Sequence, residues 1–485
     1  MKITDLNPKN VWQFFYEVTQ VPRPSKKEEK IIQYLESFAK KYNVAIKKDD
    51  VGNILMSKPA TPGMENRQTV ILQSHMDMVC EKNSDKEHDF ENDPLEIIIE
   101  GNTLRANGTT LGADNGIGMA AALAVLTDDT LVHGPVECLF TVDEETGLSG
   151  AKAVQSGFMT GSILLNLDSE EEGQLYVGCA GGKDTAALFT FEPTPTPADM
   201  HYLRIDVKGL RGGHSGCDIH LGLGNANKLI TRFLYTLKNK HDVVLCSFNG
   251  GNLRNAIPRE AYAIIGVPAS AKEDVRTMIN NYIADVEFEY KDSDKGVKIT
   301  MESVERPATA IDSATTDKLI YSLLACPHGV IGMSHELEGL VETSTNLASV
   351  KTLEDNTILV VTSQRSSVES CKTAIVDQVA STFKLAGAKV SHGDGYPGWT
   401  PNTNSQILKV GQDTYKALFG KEPLIKAIHA GLECGLFRER YPNMDMISFG
   451  PTLHDVHSPN ESIEIDTVEL WWRHLKEVLK NIPTK

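Results

Sequence analysis

The chain has 485 residues. Length over about 150 suggests roughly three domains, and two fit as well if one is large or split; the chain is long enough to bury a core without disulfides or a structural metal. Its 65 Asp and Glu against 48 Lys and Arg give a formal charge of −17, which argues against a general nucleic-acid coat, since that requires basic excess.

In chain order, Trp12 to Val18 and Glu28 to Tyr42 read as amphipathic helices, and Val51 to Met56 and Thr69 to Gln73 as strands. The longest greasy stretch, Met119 to Leu126, falls in a short helix, far below the ~18 residues of a membrane span. Val136 to Val142 and Ile163 to Leu167 alternate little, so they read as strands buried on both faces. This strand–helix alternation predicts an α/β sheet covered on both sides. Beyond Gly181-Gly182 the texture changes. FEPTPTPA (191–198) is too rich in proline for a central strand. Tyr202 to Lys208, Ala261 to Val267 and Thr357 to Thr362 read as strands. Asn225 to Lys238, Asp274 to Phe288 and Glu369 to Ala386 read as helices, together a smaller α+β domain. GDGYPGWTP (393–401) is a turn-rich return linker. A helix to Leu418, a strand at Met444 to Phe449 and a helix at Thr467 to Ile482 resume the first pattern. The economical organisation is one α/β domain, residues 1–182 and 397–485, interrupted by an inserted domain over 183–396. No internal repeat of 20–50 residues is visible. The opening MKITDLNPKNVWQFF shows no signal peptide. The eight cysteines form no CxxC pair, which removes thiolate zinc sites and makes a reducing cytoplasm the expected compartment.

Four polar clusters follow apolar strands: His75-Met76-Asp77, Asp143-Glu144-Glu145, Asp168, and a loop carrying His454, Asp455 and His457. Asp114 stands at the mouth of a helix in LGADNGIG, which is neither GxGxxG nor a phosphate loop. Alone, each cluster fits an ordinary role: a capped histidine, a solvated acid run, a turn with an N-cap. Together they fit one crevice at the carboxyl ends of strands. Crowded acids raise one another's pKa unless a cation neutralises them, and two histidines with several carboxylates and no cysteine suit zinc, cobalt or manganese.

SHMDMV, GTTLGADNGIG, DEETG, NLDSEEEG, GGHSG and HSP resemble the motifs of the co-catalytic zinc exopeptidase family that holds aminoacylase, carboxypeptidase G, peptidase T and the Xaa-His dipeptidases. GCAGG, GGNLRNAIPRE, YPGWTP and HAGLECGLF carry the likeness nearly end to end, towards the Xaa-His branch. The resemblance implies a central mixed sheet flanked by helices, with an inserted α+β lid domain. It implies two divalent ions, one held by His75 and Asp168, the other by Glu145 and His457, with Asp114 bridging. Asp77 would orient His75, and Glu144 would be the general base. In the lid, His214 would reach the scissile carbonyl, often from a partner subunit. Asn255 and Arg365 would bind the substrate carboxylate and Gly431 would offer a backbone contact. Glu433 is a weaker candidate for the substrate amine. The implied activity is hydrolysis of Xaa-His dipeptides, β-alanyl-histidine among them, with a tripeptidase or an N-acyl amino acid deacylase as the alternative. The expected partner is a small peptide substrate, not nucleic acid or membrane, and the expected assembly is a homodimer through the inserted domain. By spacing, His454 competes with His457; the family pattern, with Ser-Pro following, implies His457. His220, His429 and Asp455 are expected to be structural.

Overall fold

Four buried segments, Val136–Thr141, Val70–His75, Ile163–Asn166 and Asp445–Ser448, lie side by side in that order and parallel. They are covered on both faces, which is why their sequences hardly alternate. The computed structural model describes residues 2–485. These strands form the centre of an eight-stranded mixed sheet with antiparallel neighbours, among them Ile54–Lys58 and Gln174–Cys179. They belong to the first of two units, Met1–Cys179, Trp399–Ala427 and Leu432–Lys485.

The strand expected from Val51 starts only at Ile54. Asp49 Oδ1 accepts the N–H groups of Val51, Gly52 and Asn53 and so closes a turn instead. The short helix expected around Met119 is longer, Ala113–Thr127, and buried on nearly every side. Its run of Ala, Met, Leu and Val has no polar face to offer water. A hairpin of Ile97–Glu100 and Thr103–Ala106 joins Leu453–His454 and Ser462–Glu464 in a separate four-stranded sheet. No helix among the described residues is long and apolar enough to cross a membrane.

The second unit, Ala180–Gly398 with Ile428–Gly431, contains a repeat that the sequence hides. Its main sheet runs 298–303, 200–208, 261–268, 244–250, 341–352, 357–366, 181–190, 389–392. Read from the middle outwards, the two sides are the same. Each half is built strand, helix, strand, strand, helix, strand. One half is Met200–Lys208, Ala226–Lys238, Val244–Gly250, Ala261–Pro268, Lys272–Glu289 and Lys298–Ser303. The other is Gly181–Thr190, Ser313–Ala325, Val341–Thr352, Thr357–Ser366, Glu369–Leu385 and Lys389–His392. The halves meet antiparallel, Asn249 opposite Lys351. The first half is nested after the first strand of the second, so no fixed sequence period exists. All four helices pack on one face, where Ile205, Phe233, Ile279, Leu319, Ile358 and Phe383 share a single core. The proline-rich 193–195 forms only a two-stranded edge with Thr309–Ile311, as its missing N–H groups require.

Candidate metal centre

His75 ends its strand and is fully buried. Its Nε2 lies 2.9 Å from Asp114 Oδ1 and 3.4 Å from Asp168 Oδ1, while its Nδ1 lies 3.3 Å from Asp77 Oδ1. His457 Nε2 lies 3.1 Å from Asp114 Oδ2 and 3.1 Å from Glu145 Oε2. Five of these groups, His75, Asp168, Asp114, Glu145 and His457, therefore fall into two sets that share Asp114, one carboxylate oxygen turned to each histidine. Asp114 lies in the first turn of Ala113–Thr127 and precedes a cis peptide bond to Asn115. The Asn115 side chain donates to Asp168 and, at 3.1 Å, to Leu167 O.

Asp77 does more than face His75. Its carboxylate also accepts the N–H of Glu144 at 3.0 Å, the N–H of Glu145 at 3.2 Å and the Ser25 hydroxyl at 2.8 Å. It thus caps the one-turn helix Glu144–Gly147, where the base candidate and a ligand candidate stand side by side. Asp143 enters that turn with a left-handed φ of 48°, its N–H donating to Glu28 Oε1 at 3.0 Å.

The electrostatics of this cluster call for positive charge. Burial pulls His75 down, but Asp168, Asp114 and Asp77 outweigh it and hold the imidazole well above its ordinary value. Hydrogen bonds to Asp114 and Glu145 push His457 up to about 11. Burial pushes Glu144 well above the carboxylate range, with Asp168 and Glu145 adding to it. Glu145 and Asp168 are raised as well, burial first, and Glu170 reaches about 8 for the same reason, with Asp114 and Asp168 adding. Asp114 and Asp77 are held below the usual range: burial would raise both, but hydrogen bonds to His457 and His75 prevail at Asp114, and the hydrogen bond to His75 prevails at Asp77. Glu145 Oε1 is buried without a hydrogen-bond partner. A buried carboxylate oxygen with no donor is costly unless a cation satisfies it. His75, Asp114 and Glu145 present ligand atoms within 4.8 Å of one another. The donor set fits divalent ions of the zinc, cobalt or manganese kind. A second trio, Glu28, Asp77 and Asp143, is equally close. It holds no histidine, and its oxygens already accept backbone N–H groups and hydroxyls, those of Thr146 and Ser149 included.

Other candidates part company here. His454 Nε2 bonds Glu464 Oε1 at 2.7 Å and so turns away from Asp114. Glu433 is fully buried, where its Oε2 accepts from Gln73 at 2.5 Å and Thr141 at 2.9 Å. Burial pushes it up to about 8, and its Oε1 is buried without a hydrogen-bond partner.

In the second unit, His214, Arg365 and Gly431 are neighbours, and Asn255 stands beside His214. His214 Nδ1 accepts the N–H groups of Gly216 and Cys217 at 3.2 and 3.0 Å, which leaves the ring proton on Nε2 as a free donor. Asn255 O accepts the Ser215 N–H at 2.8 Å and is otherwise exposed. Arg365 is buried, with Nη1 on the Tyr396 hydroxyl at 2.8 Å and Nε unpartnered. A Cβ at Gly431 would sit 2.8 Å from the Tyr396 ring. Burial and Arg365 pull His214 down to about 4. His429, expected to be structural, belongs to this neighbourhood. Its Nε2 bonds Ser344 Oγ at 2.7 Å and its Nδ1 is buried without a partner. Burial, Arg365 and His214 pull it down to about 3.

Comparison with known proteins gives the chain a family. Residues 71–481 match the model of peptidase family M20/M25/M40. A cytosol non-specific dipeptidase of Escherichia coli K12 is 46% identical over 484 residues, spanning 100% of both chains. The crystal structure of an aminoacylhistidine dipeptidase from Vibrio alginolyticus superposes with a TM-score of 0.93 at 45% identity, covering 100% of this chain and 99% of that one. A tripeptidase from Staphylococcus aureus shares the fold, with a TM-score of 0.58 at 16% identity over 98% and 99% of the two chains. The chain belongs to peptidase family M20/M25/M40 and is an enzyme of this metallo-exopeptidase class.

Proposed function

We propose that the protein is a dinuclear metallodipeptidase that hydrolyses Xaa-His dipeptides, β-alanyl-histidine among them. The observation that carries this reading is Asp114, whose two oxygens turn to two different histidines, each with a further carboxylate. In this reading His75 and Asp168 hold one ion, Glu145 and His457 the other, and Asp114 both. Such a pair of ions lowers the pKa of a shared water and polarises the scissile carbonyl. Asp77 fixes the orientation of His75 through Nδ1. Glu144, poised high in pKa by burial, takes the proton of the attacking water and returns it to the leaving amine. His214 offers Nε2–H to the carbonyl oxygen, where negative charge develops. Arg365 offers its fork to the substrate carboxylate, with Asn255 and the Gly431 backbone beside it.

The likeness to the Vibrio protein supports Xaa-His substrates. The Escherichia coli relative, named as non-specific, supports a second reading, a broad dipeptidase. Metal-loaded protein, a Glu144→Ala variant and a chelated sample would be offered β-alanyl-histidine, then dipeptides without histidine, tripeptides and N-acyl amino acids. Cleavage of Xaa-His dipeptides by the loaded wild type alone supports the proposal. Equal rates on all dipeptides favour the broad reading, and cleavage only of tripeptides or N-acyl amino acids contradicts both. A cytoplasmic location fits eight cysteines that all remain outside disulfides. A homodimer through the inserted domain, implied by the family, is tested by light scattering of the purified protein.

A further inference from the structure

Glu461 accepts four backbone N–H groups near the centre, yet it is neither ligand nor base in the proposed reaction. It is 2% exposed. Its Oε2 accepts the N–H groups of Leu111 at 2.8 Å and Gly112 at 3.0 Å; its Oε1 accepts those of Ala113 at 2.8 Å and Asp114 at 3.3 Å. Four consecutive backbone donors from one turn thus converge on one side chain. That side chain stands four residues after His457 in a tight loop, its own N–H donating to Ser458 O at 3.0 Å. A helix's first N–H groups have no partners within the helix, and an anion there satisfies them.

The other side of the same turn is held by a cation. Arg23 is 1% exposed. Its Nη2 donates to Gly112 O, and its Nη1 to Met76 O at 3.1 Å and Asp77 O at 2.6 Å. Gly112, left-handed at φ 63°, has its N–H on Glu461 and its carbonyl on Arg23. A Cβ at Gly112 or Gly116 would fall 2.5 or 2.7 Å from Arg23 Nη2, so these glycines make room for the guanidinium as well as for the turn. Three segments are joined in this way: His75–Asp77 through Arg23, the Asp114 turn through both, and the His457 loop through Glu461.

We propose that Glu461 is a positioning residue for the metal centre, holding the 111–114 backbone so that Asp114 presents one oxygen to each histidine. The proposal rests on the metallodipeptidase reading. In a Glu461→Gln variant the neutral side chain would turn an amide NH2 towards backbone donors, and the turn, with Asp114, would have to shift. Losing support of this kind typically weakens metal affinity by about 10–100-fold.

The experiment titrates metal-free, full-length protein with Co2+ alone. Calorimetry reads affinity and stoichiometry, and visible absorption reads the coordination of the bound ions. Circular dichroism and the melting temperature of the metal-free protein are recorded in parallel. Glu461→Gln is expected to fold, to bind Co2+ about 10–100-fold more weakly and to change the absorption of both ions, since Asp114 serves both. Glu464→Gln, on the neighbouring strand, should match wild type. Leu475→Ala, a buried variant remote from the turn, controls for lost stability. If Glu461→Gln does not fold, Glu461→Asp keeps the charge one methylene short and should show the same loss. A wild-type isotherm and spectrum for a folded Glu461 variant overturns the proposal, and so does an equal affinity loss in Leu475→Ala. If wild type binds no Co2+, the metal reading falls and this inference with it. If wild type binds two ions but cleaves no dipeptide, only the substrate reading falls.

Discussion

The candidate site histidines of the two units are shifted in opposite directions. In the first, His457 is pushed up to about 11 by Asp114 and Glu145. In the second, His214 is pulled down to about 4 by burial and Arg365. One neighbourhood has too much negative charge for its burial, and the other has a buried guanidinium with an unpartnered Nε. The first asks for cations, the second for an anion or a carbonyl oxygen. In the proposed reaction the ions would meet the first demand and the substrate carboxylate or carbonyl the second.

The sharpest way to break this comparison is at the base. Glu144→Gln should lower kcat by about 10²–10⁴-fold and leave calorimetric Co2+ binding near wild type. If binding collapses with activity, Glu144 belongs with the ligands instead. Arg365→Ala should cost less, about 10–100-fold in kcat/KM, the worth of about 1.5–3 kcal/mol for a bond to a charged group. The loss should appear mainly in KM and should shrink for a substrate with an amidated C-terminus. Equal losses on both substrates would contradict the carboxylate role.

Protonation sharpens the contrast further. His75 and His457 are both raised in the metal-free protein, and His457, at about 11, carries at neutral pH a proton that an incoming ion must displace. Calorimetry in buffers of different ionisation enthalpy should find protons released on filling the centre, and no release would contradict the raised His457. Their folded state holds protons more tightly than the unfolded one, so their contribution to metal-free stability is present at low pH and is lost as pH rises, through about 11 for His457. His214 has the opposite sign. Its unfolded state binds the proton more tightly, so its contribution is lost as pH falls from about 6.5 to about 4. A His214→Gln variant should flatten that acid limb in urea titrations, and an unchanged limb would contradict the assignment. The smallest effect belongs to His454, paired with Glu464 at the surface. His454→Ala should change stability by under about 1 kcal/mol and leave metal uptake alone.

The placement of the centre was legible because chemistry and topology coincide there. Buried parallel strands lack alternation, and the polar residues directly after them mark their carboxyl ends, so the clusters His75-Met76-Asp77, Asp143-Glu144-Glu145 and Asp168 could be marked from position, while the choice of ligands within them came from family resemblance. The pairing of each histidine with its own carboxylate came from family resemblance, and the distances now give it geometry. What stayed hidden shares one cause: it depends on groups that a sequence does not display. Glu461 acts on backbone N–H groups, which every residue but proline carries alike. Val341–Thr352 is nearly all buried, but its ETSTNLAS reads as polar because its neighbours in the sheet, not its side chains, put it inside. The duplication in the second unit has no period because one half is nested in the other. His429 opens HAGLECGLF yet reads as structural in the sequence, and the approach of Ser344 and Arg365 is what singles it out.

The most direct test of the central claim, two cations sharing Asp114, is anomalous diffraction at the zinc edge from crystals grown with zinc. The account predicts two peaks about 3.5–4 Å apart, the spacing of two-metal sites. One should lie beside His75 and Asp168, the other beside Glu145 and His457, with Asp114 between. A single peak, or a peak among Glu28, Asp77 and Asp143, would contradict it.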